Sequence, residues 1–170
     1  MRQDAATHAF LGEEFLTWLW FRIDTTGGDF ELGGGRSVAV AIDDFLAFAP
    51  GDDDELEQTL RKGMPTHSRE ARTALRNGRR LRKAKLIVAE GPLQFGVTLD
   101  GESLNLSSVK LPDDSEECES AQDRNLERAA NFFALHELLG GLYHVFLDDR
   151  LRPEYLKTSA ERQAQWMARA

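Results

Sequence analysis

Apolar positions along the chain switch between helical and strand spacing, and the switches outline the elements. From Phe10 to Ile23, the residues Phe10, Leu11, Phe15, Leu16, Trp18, Leu19, Trp20, Phe21 and Ile23 cover nearly the whole circumference of a helix. A helix apolar on every side is buried in a core or held between two packed bodies. Asp24-Thr-Thr-Gly-Gly suits the turn that ends it. After a short Phe30-Glu-Leu strand and the breaking Gly33-Gly34-Gly35 triplet, Val38, Val40 and Ile42 alternate at period two. Asp43-Asp44 is expected to turn that strand into Phe45–Phe48 as a hairpin, closed by Pro50-Gly51. Asp52 to Leu60 starts acidic and runs into Arg61 and Lys62, the polarity a helix dipole favours, with Gly63 as the stop.

Ser68 is placed to cap a short helix through Arg76, and Asn77-Gly78 ends it. Arg79 to Ala89 predicts a strand that becomes fully apolar at Leu86-Ile-Val-Ala89. Gly91-Pro92 turns it into Leu93–Leu99, where Leu93, Phe95, Val97 and Leu99 alternate cleanly. Asp100-Gly101 is the strongest hairpin signal, continued by Leu104, Leu106 and Val109. Beyond the acidic 113–119 loop, Leu126, Ala130, Phe133, Leu135, Leu138, Leu139, Leu142, Tyr143 and Phe146 recur at helical spacing, predicting one long helix from Ala121 to about Arg150. Gly140-Gly141 inside it lowers helix propensity by about 1 kcal/mol each, which a close approach or a kink would explain. Pro153 can start a last helix from Glu154 to Ala170.

This order, α-ββ-αα-βββ-α-α, predicts an α+β fold: a mainly antiparallel sheet of about five or six short strands, packed with an N-terminal helix and a long C-terminal helix. The 170 residues suit one domain spanning 1–170, with 151–170 expected to form a protruding C-terminal helix. The hydrophobic content of 41% and charged content of 29% are those of a globular protein. Cys118 is the single cysteine, so no disulfide framework or multi-cysteine metal site can form within the chain. Asp4, Glu13 and Glu14 interrupt any signal-peptide pattern, and the apolar run 15–21 is too short to span a bilayer. These features predict a cytoplasmic protein without a membrane partner.

Charge changes the picture most. The formal net charge is −8, yet Arg61 to Lys85 holds ten Lys or Arg and one acid. That segment carries +9, and the 11 basic and 28 acidic residues outside it leave −17. On a helix starting at Ser68, Arg69, Arg72 and Arg76 fall within about 60° of one another. Arg79, Arg80, Arg82, Lys83 and Lys85 continue onto the following strand, where alternation keeps them from sharing one side, so the strip is expected to wrap a sheet edge. Six of these eight are Arg, whose planar fork grips phosphate through two bonds. The eight are the candidate nucleic-acid contacts. Pairing with the surplus carboxylates, within the chain or across a subunit contact, is the competing reading. Core burial is the better expectation for the Trp-rich first helix, with Trp18, Trp20 and Trp166 as candidate contacts for a protein partner or a second copy of the chain.

Catalytic and cofactor signatures are weak. No Walker-type Gly-x-x-x-x-Gly-Lys occurs, since the Gly33 triplet runs into Arg36. His136-Glu137 has Gly140 where a zincin needs its second His, and His8, His67 and His144 lie elsewhere. The paired acids occupy turn and helix-end positions. The expectation is a non-enzymatic protein with no metal and no cofactor.

Two stretches carry a resemblance. The run Phe10-Leu-Gly-Glu-Glu-Phe-Leu-Thr-Trp-Leu-Trp-Phe-Arg22 and the run Ser68-Arg-Glu-Ala-Arg-Thr-Ala-Leu-Arg-Asn-Gly-Arg-Arg-Leu-Arg-Lys-Ala-Lys-Leu86 resemble segments of a region that follows or accompanies the domain of the bacterial recombination-associated RdgC group. They cover about a fifth of the chain, which is shorter and more acidic than such a protein. The RdgC family is implied to be a DNA-binding, ring-forming dimer that restrains recombinase loading without catalysis. No family site residue is carried over. The resemblance implies a setting in DNA recombination or maintenance, with DNA and an RdgC-like protein as partners. Its rival is an interaction module or complex subunit whose strip docks an acidic protein, without nucleic acid.

Overall fold

The computed structural model describes residues 2–49, 58–61, 63, 65–115 and 120–169, with side chains from residue 11 onward. Helix α1 (Arg2–Thr26) leads into β1 (Asp29–Gly33) and β2 (Arg36–Phe48), followed by β3 (Gln58–Arg61). A 3-10 turn at Pro65–His67 precedes α2 (Arg69–Arg76), and β4 (Leu81–Glu90), β5 (Leu93–Asp100) and β6 (Leu106–Lys110) form a meander. Helix α3 (Ala121–Arg150), a 3-10 turn at Tyr155–Lys157 and α4 (Ser159–Arg169) complete the chain. The fold is α+β. All strand pairs are antiparallel in the order β1-β2-β4-β5-β6, and β3 pairs β2 on the edge that β1 uses further along.

Alternation sorts the sheet into two unlike faces. Register aligns Val40 with Val88 and Phe95, Ile42 with Leu86 and Val97, and Leu46 with Ala84 and Leu99. These triplets face the helices and, apart from half-buried Ile42, are buried. The other face carries Ala39, Ala41, Lys83, Lys85, Gln94 and Thr98, all exposed or half-buried. Phe15, Trp18, Trp20, Phe30, Phe48, Leu138, Leu142 and Phe146 fill the space between the covered face and the helices. Among the described residues Thr17 is the one buried polar side chain: its hydroxyl donates to the Glu13 carbonyl (2.9 Å) and accepts from the Leu81 amide (3.1 Å), tying α1 to the start of β4.

Two expectations for 43–60 are corrected. Asp43-Asp44 does not turn the chain; β2 continues through it. Between Ile42 and Leu46 the strand gains two residues on β4, a bulge held by Lys85, whose ammonium meets Asp43 (2.8 Å) and Asp44 (2.9 Å). The helix expected over Asp52–Leu60 is a strand where it is described. Leu60 pairs with Leu46 and packs half-buried against the core, and that pairing outweighs the charge polarity of the segment. Residues 50–57 and Cys118 lie outside the described residues.

The C-terminal region also departs from expectation. Helix α4 does not protrude: Trp166 packs edge-on against Trp20 (5.5 Å) and Phe21 (5.7 Å), and its Nε1 donates to Asp24 (2.8 Å). What stands out from the body is the first half of α3. Thirty residues make a helix of about 45 Å, and only its second half lies over the core. Leu135, Leu138, Leu139, Leu142 and Phe146 are buried, whereas Leu126 is 63% and Phe133 69% exposed. Ser120 caps the helix in a reciprocal box with Asp123. Gly141 marks a close approach to the sheet, since a Cβ there would meet Leu32 at 3.1 Å. Among the described residues no helix is long and apolar enough to cross a membrane.

Candidate nucleic-acid interface

Helix α2 presents the first part of the basic strip. Ser68 Oγ accepts from the Ala71 amide at 3.0 Å, fixing the first turn, and Ala71, Ala74 and Leu75 are buried against the body. The opposite face carries Arg69, Arg72 and Arg76, as the helical spacing predicts. They are not equivalent. Arg72 is half-buried, with its guanidinium 5.8 Å from the Trp20 ring and paired to Asp24 at 3.0 Å. Arg69 and Arg76 are exposed, and among the described residues neither has a carboxylate within ion-pair distance. Among the described residues the Arg76 guanidinium donates to Thr73 Oγ1, at 3.4 Å. Arg69 also lines a shallow groove of about 420 Å³ with Thr73, Asn77, Gln58 and Arg79.

The strand part of the strip is placed differently from expectation. β4 is the central strand of the sheet, flanked by β2 and β5, so the strip does not wrap an edge. It passes from α2, through Arg79 and Arg80 in the connection, to the uncovered face at Lys83 and Lys85. There the chain's own acids meet it. Arg82 pairs with Glu102, Lys83 with Asp100 at 3.3 Å, and Lys85 with both Asp43 and Asp44. Hydrogen bonds that the Lys85 ammonium donates to Asp43 and Asp44 push it above its ordinary pKa. Burial pulls the Asp100 carboxyl up, but the amides of Ser103 and Glu102 and the Lys83 ammonium outweigh it and hold it below its ordinary value. Glu13, near the same end of the sheet, is raised by burial against the attraction of Arg80 and Arg82. Lys83, Lys85 and Arg61 line a groove of about 490 Å³ on the uncovered face, with Phe45 under the Arg61 guanidinium at 5.3 Å. Pairing within the chain, the competing reading of the charge run, thus accounts for Arg72, Arg82, Lys83 and Lys85.

Core burial, the better expectation for the first helix, is what Trp18 and Trp20 show, so neither is open to a partner. Trp18 and Trp20 are fully buried, because the sheet packs on one side of α1 and α3 and α4 close the others. Trp166 is half-buried and caps that core. Among the described residues no three His, Cys, Asp or Glu side chains gather in a metal-binding arrangement.

One arginine cluster escapes the linear charge pattern. Arg22, Arg152, Arg162 and Arg169 sit in acidic or neutral sequence surroundings, up to 147 positions apart, yet all four line one cleft between α1, the end of α3 and α4. The only local signal is the i, i+7 spacing of Arg162 and Arg169 on α4. Comparison of the chain with protein-family models, with curated proteins and with solved structures finds no match.

Proposed function

We propose that this chain is a non-enzymatic accessory protein of DNA recombination or maintenance that touches nucleic-acid phosphate through α2 and acts with a protein partner. The observation that carries the reading is the pair Arg69 and Arg76, exposed on one face of a capped helix and without a carboxylate of their own among the described residues. The likeness of the α1 and α2–β4 segments to the RdgC group supports the DNA setting. Lys83, Lys85, Arg72 and Arg82 contribute less, since each contact to phosphate would compete with an existing ion pair. Exposed pairs are worth about 0–1 kcal/mol, so exchange is affordable but gains little.

This narrows the test. Charge reversal at Arg72 would break its pair with Asp24 and confuse binding with folding, whereas R69E/R76E acts on exposed side chains. In a gel-shift salt series, two to four phosphate contacts predict affinity falling about 10- to 100-fold between 50 and 200 mM salt. R69E/R76E should remove retention at the low-salt end. A wild-type protein that fails to retain DNA at about 50 mM salt, or a double variant that binds equally well, sinks the reading.

A second reading, an interaction module without nucleic acid, is favoured by the stripe of Leu126, Ala130 and Phe133 on the protruding half of α3. The occupant we commit to is a second copy of the chain. The stripe lies along one face of a single helix, so two copies can set it against itself across a two-fold axis, whereas neighbouring charges are engaged within the chain, Arg128 with Asp114 at 2.8 Å and Asp123 in the Ser120 cap. Light scattering should then report a dimer for the wild type and a monomer for Phe133→Asp. A wild-type monomer at about 100 μM, where even a weak dimer with a Kd near 1 μM is almost fully formed, refutes it.

A further inference from the structure

The cleft between the second half of α1, the end of α3 and α4 has a volume of about 670 Å³, in the range of small-ligand sites. Its lining carries four arginines against one acid. Arg22 comes from α1, Arg152 from the link after α3, and Arg162 and Arg169 from the face of α4 that also carries Gln165 and Trp166. Among the described residues none of the four has a carboxylate within ion-pair distance. The one acid on the wall, Asp149, is already engaged through both oxygens: Oδ2 accepts from Trp18 Nε1 at 2.9 Å and Oδ1 from Ser159 Oγ at 2.8 Å.

The remaining polar groups restrict what the cleft can hold. Thr25 and Thr26 donate their hydroxyl hydrogens to the carbonyls of Phe21 (2.7 Å) and Arg22 (2.8 Å), and Ser159 donates to Asp149. Beside these hydroxyls and the Gln165 amide, the cleft's charged donors are the four guanidinium groups, which favours anions with several acceptor oxygens. Arg22 is preset for this. Its guanidinium is held over the Trp18 ring (5.4 Å) and the Phe30 ring (5.7 Å). A head group fixed by two rings loses little freedom on binding.

We infer that this cleft is an anion site for closely spaced phosphoryl groups, separate from the arginines of α2. The two surfaces meet at one carboxylate, since Asp24 accepts from both Arg72 and Trp166. Phosphoryl groups of this kind belong either to a nucleic-acid strand or to a free polyphosphate such as a nucleotide tail, and the same guanidinium chemistry serves both.

The test uses the full chain and two probes, inorganic tripolyphosphate and the oligonucleotide dT12, titrated by calorimetry at low salt. R162E/R169E changes two exposed side chains on α4, and circular dichroism checks that it folds. Tripolyphosphate affinity should fall on the order of 10- to 100-fold in this variant, the effect of losing one or more charge-assisted bonds. R69E/R76E should leave tripolyphosphate binding unchanged, so failure of the α2 reading and failure of the cleft are told apart. Parallel loss of dT12 binding in R162E/R169E assigns the site to a strand, and retained dT12 binding assigns it to a free polyphosphate. Equal tripolyphosphate affinity in wild type and R162E/R169E, or no binding by the wild type, overturns the inference.

Discussion

Trp18→Ala should cost about 4 kcal/mol of folding stability, the typical loss for truncating a buried Trp or Phe. A domain of this size holds about 5–15 kcal/mol in all, so the variant would stand near the limit of folding. Trp18 is fully buried, and its ring meets Phe15 (6.3 Å), Phe30 (5.9 Å) and Phe146 (5.5 Å), with the Arg22 guanidinium above it. Its loss removes that packing and also the donor to Asp149, which joins α1, α3 and α4. Trp18→Phe separates the two contributions: it keeps most of the ring and loses the N–H, for about 1–2 kcal/mol. Urea unfolding followed by far-UV circular dichroism measures both. A loss below about 1 kcal/mol for Trp18→Ala, small for a buried aromatic, would return this tryptophan to the surface role that its sequence also suggested.

The same substitution at two glycines should give opposite signs. A Cβ on Gly12 would fall inside contact distance of the Gly101 carbonyl oxygen, where α1 crosses the turn between β5 and β6. Neither side can yield easily. Gly101 is buried and its amide donates to the Arg82 carbonyl at 2.7 Å, while Gly12 lies within a helix whose next turns are core. Gly12→Ala should therefore destabilise by about 3 kcal/mol, at the upper end of overpacking, despite the better helix propensity of alanine. Gly140 is also helical, but a Cβ there meets nothing within 4 Å. Gly140→Ala should stabilise by up to about 1 kcal/mol, since only propensity changes. Thermal and urea midpoints of the two variants test the pair, and a neutral or stabilised Gly12→Ala contradicts the close approach.

Much of the fold was legible where the signal is local. Ser68 and Asn77-Gly78 bounded α2, the alternation of Leu93, Phe95, Val97 and Leu99 identified β5, and the long apolar period of 121–150 matched α3. What failed depended on partners distant in sequence. Asp43-Asp44 reads as a turn until Lys85, some forty residues on, supplies a cation for both. Gln58–Arg61 becomes a strand because β2 has a free edge beside it. Periodicity identified the apolar face of α3 but not where the body beneath it ends, so Leu126 and Phe133 looked like core. For the strip, alternation correctly separated its residues, yet whether β4 lay at an edge or in the centre is a property of sheet order. The arginine cleft was invisible for the same reason: four single residues line one cleft only after α1, the end of α3 and α4 have packed together.

The bulge in β2 has a consequence for how the chain can vary in length. It adds two residues, an even number, so Val38 and Val40 before it and Leu46 and Phe48 after it point to the same side. Insertions and deletions at 43–45 are therefore counted in pairs. Losing one residue would turn every side chain on one flank inside out, exchanging Val38 and Val40 for Ser37 and Ala39 against the helices. Losing both aspartates would restore a regular strand and free Lys85, leaving the core in register while changing only the charge of the open face.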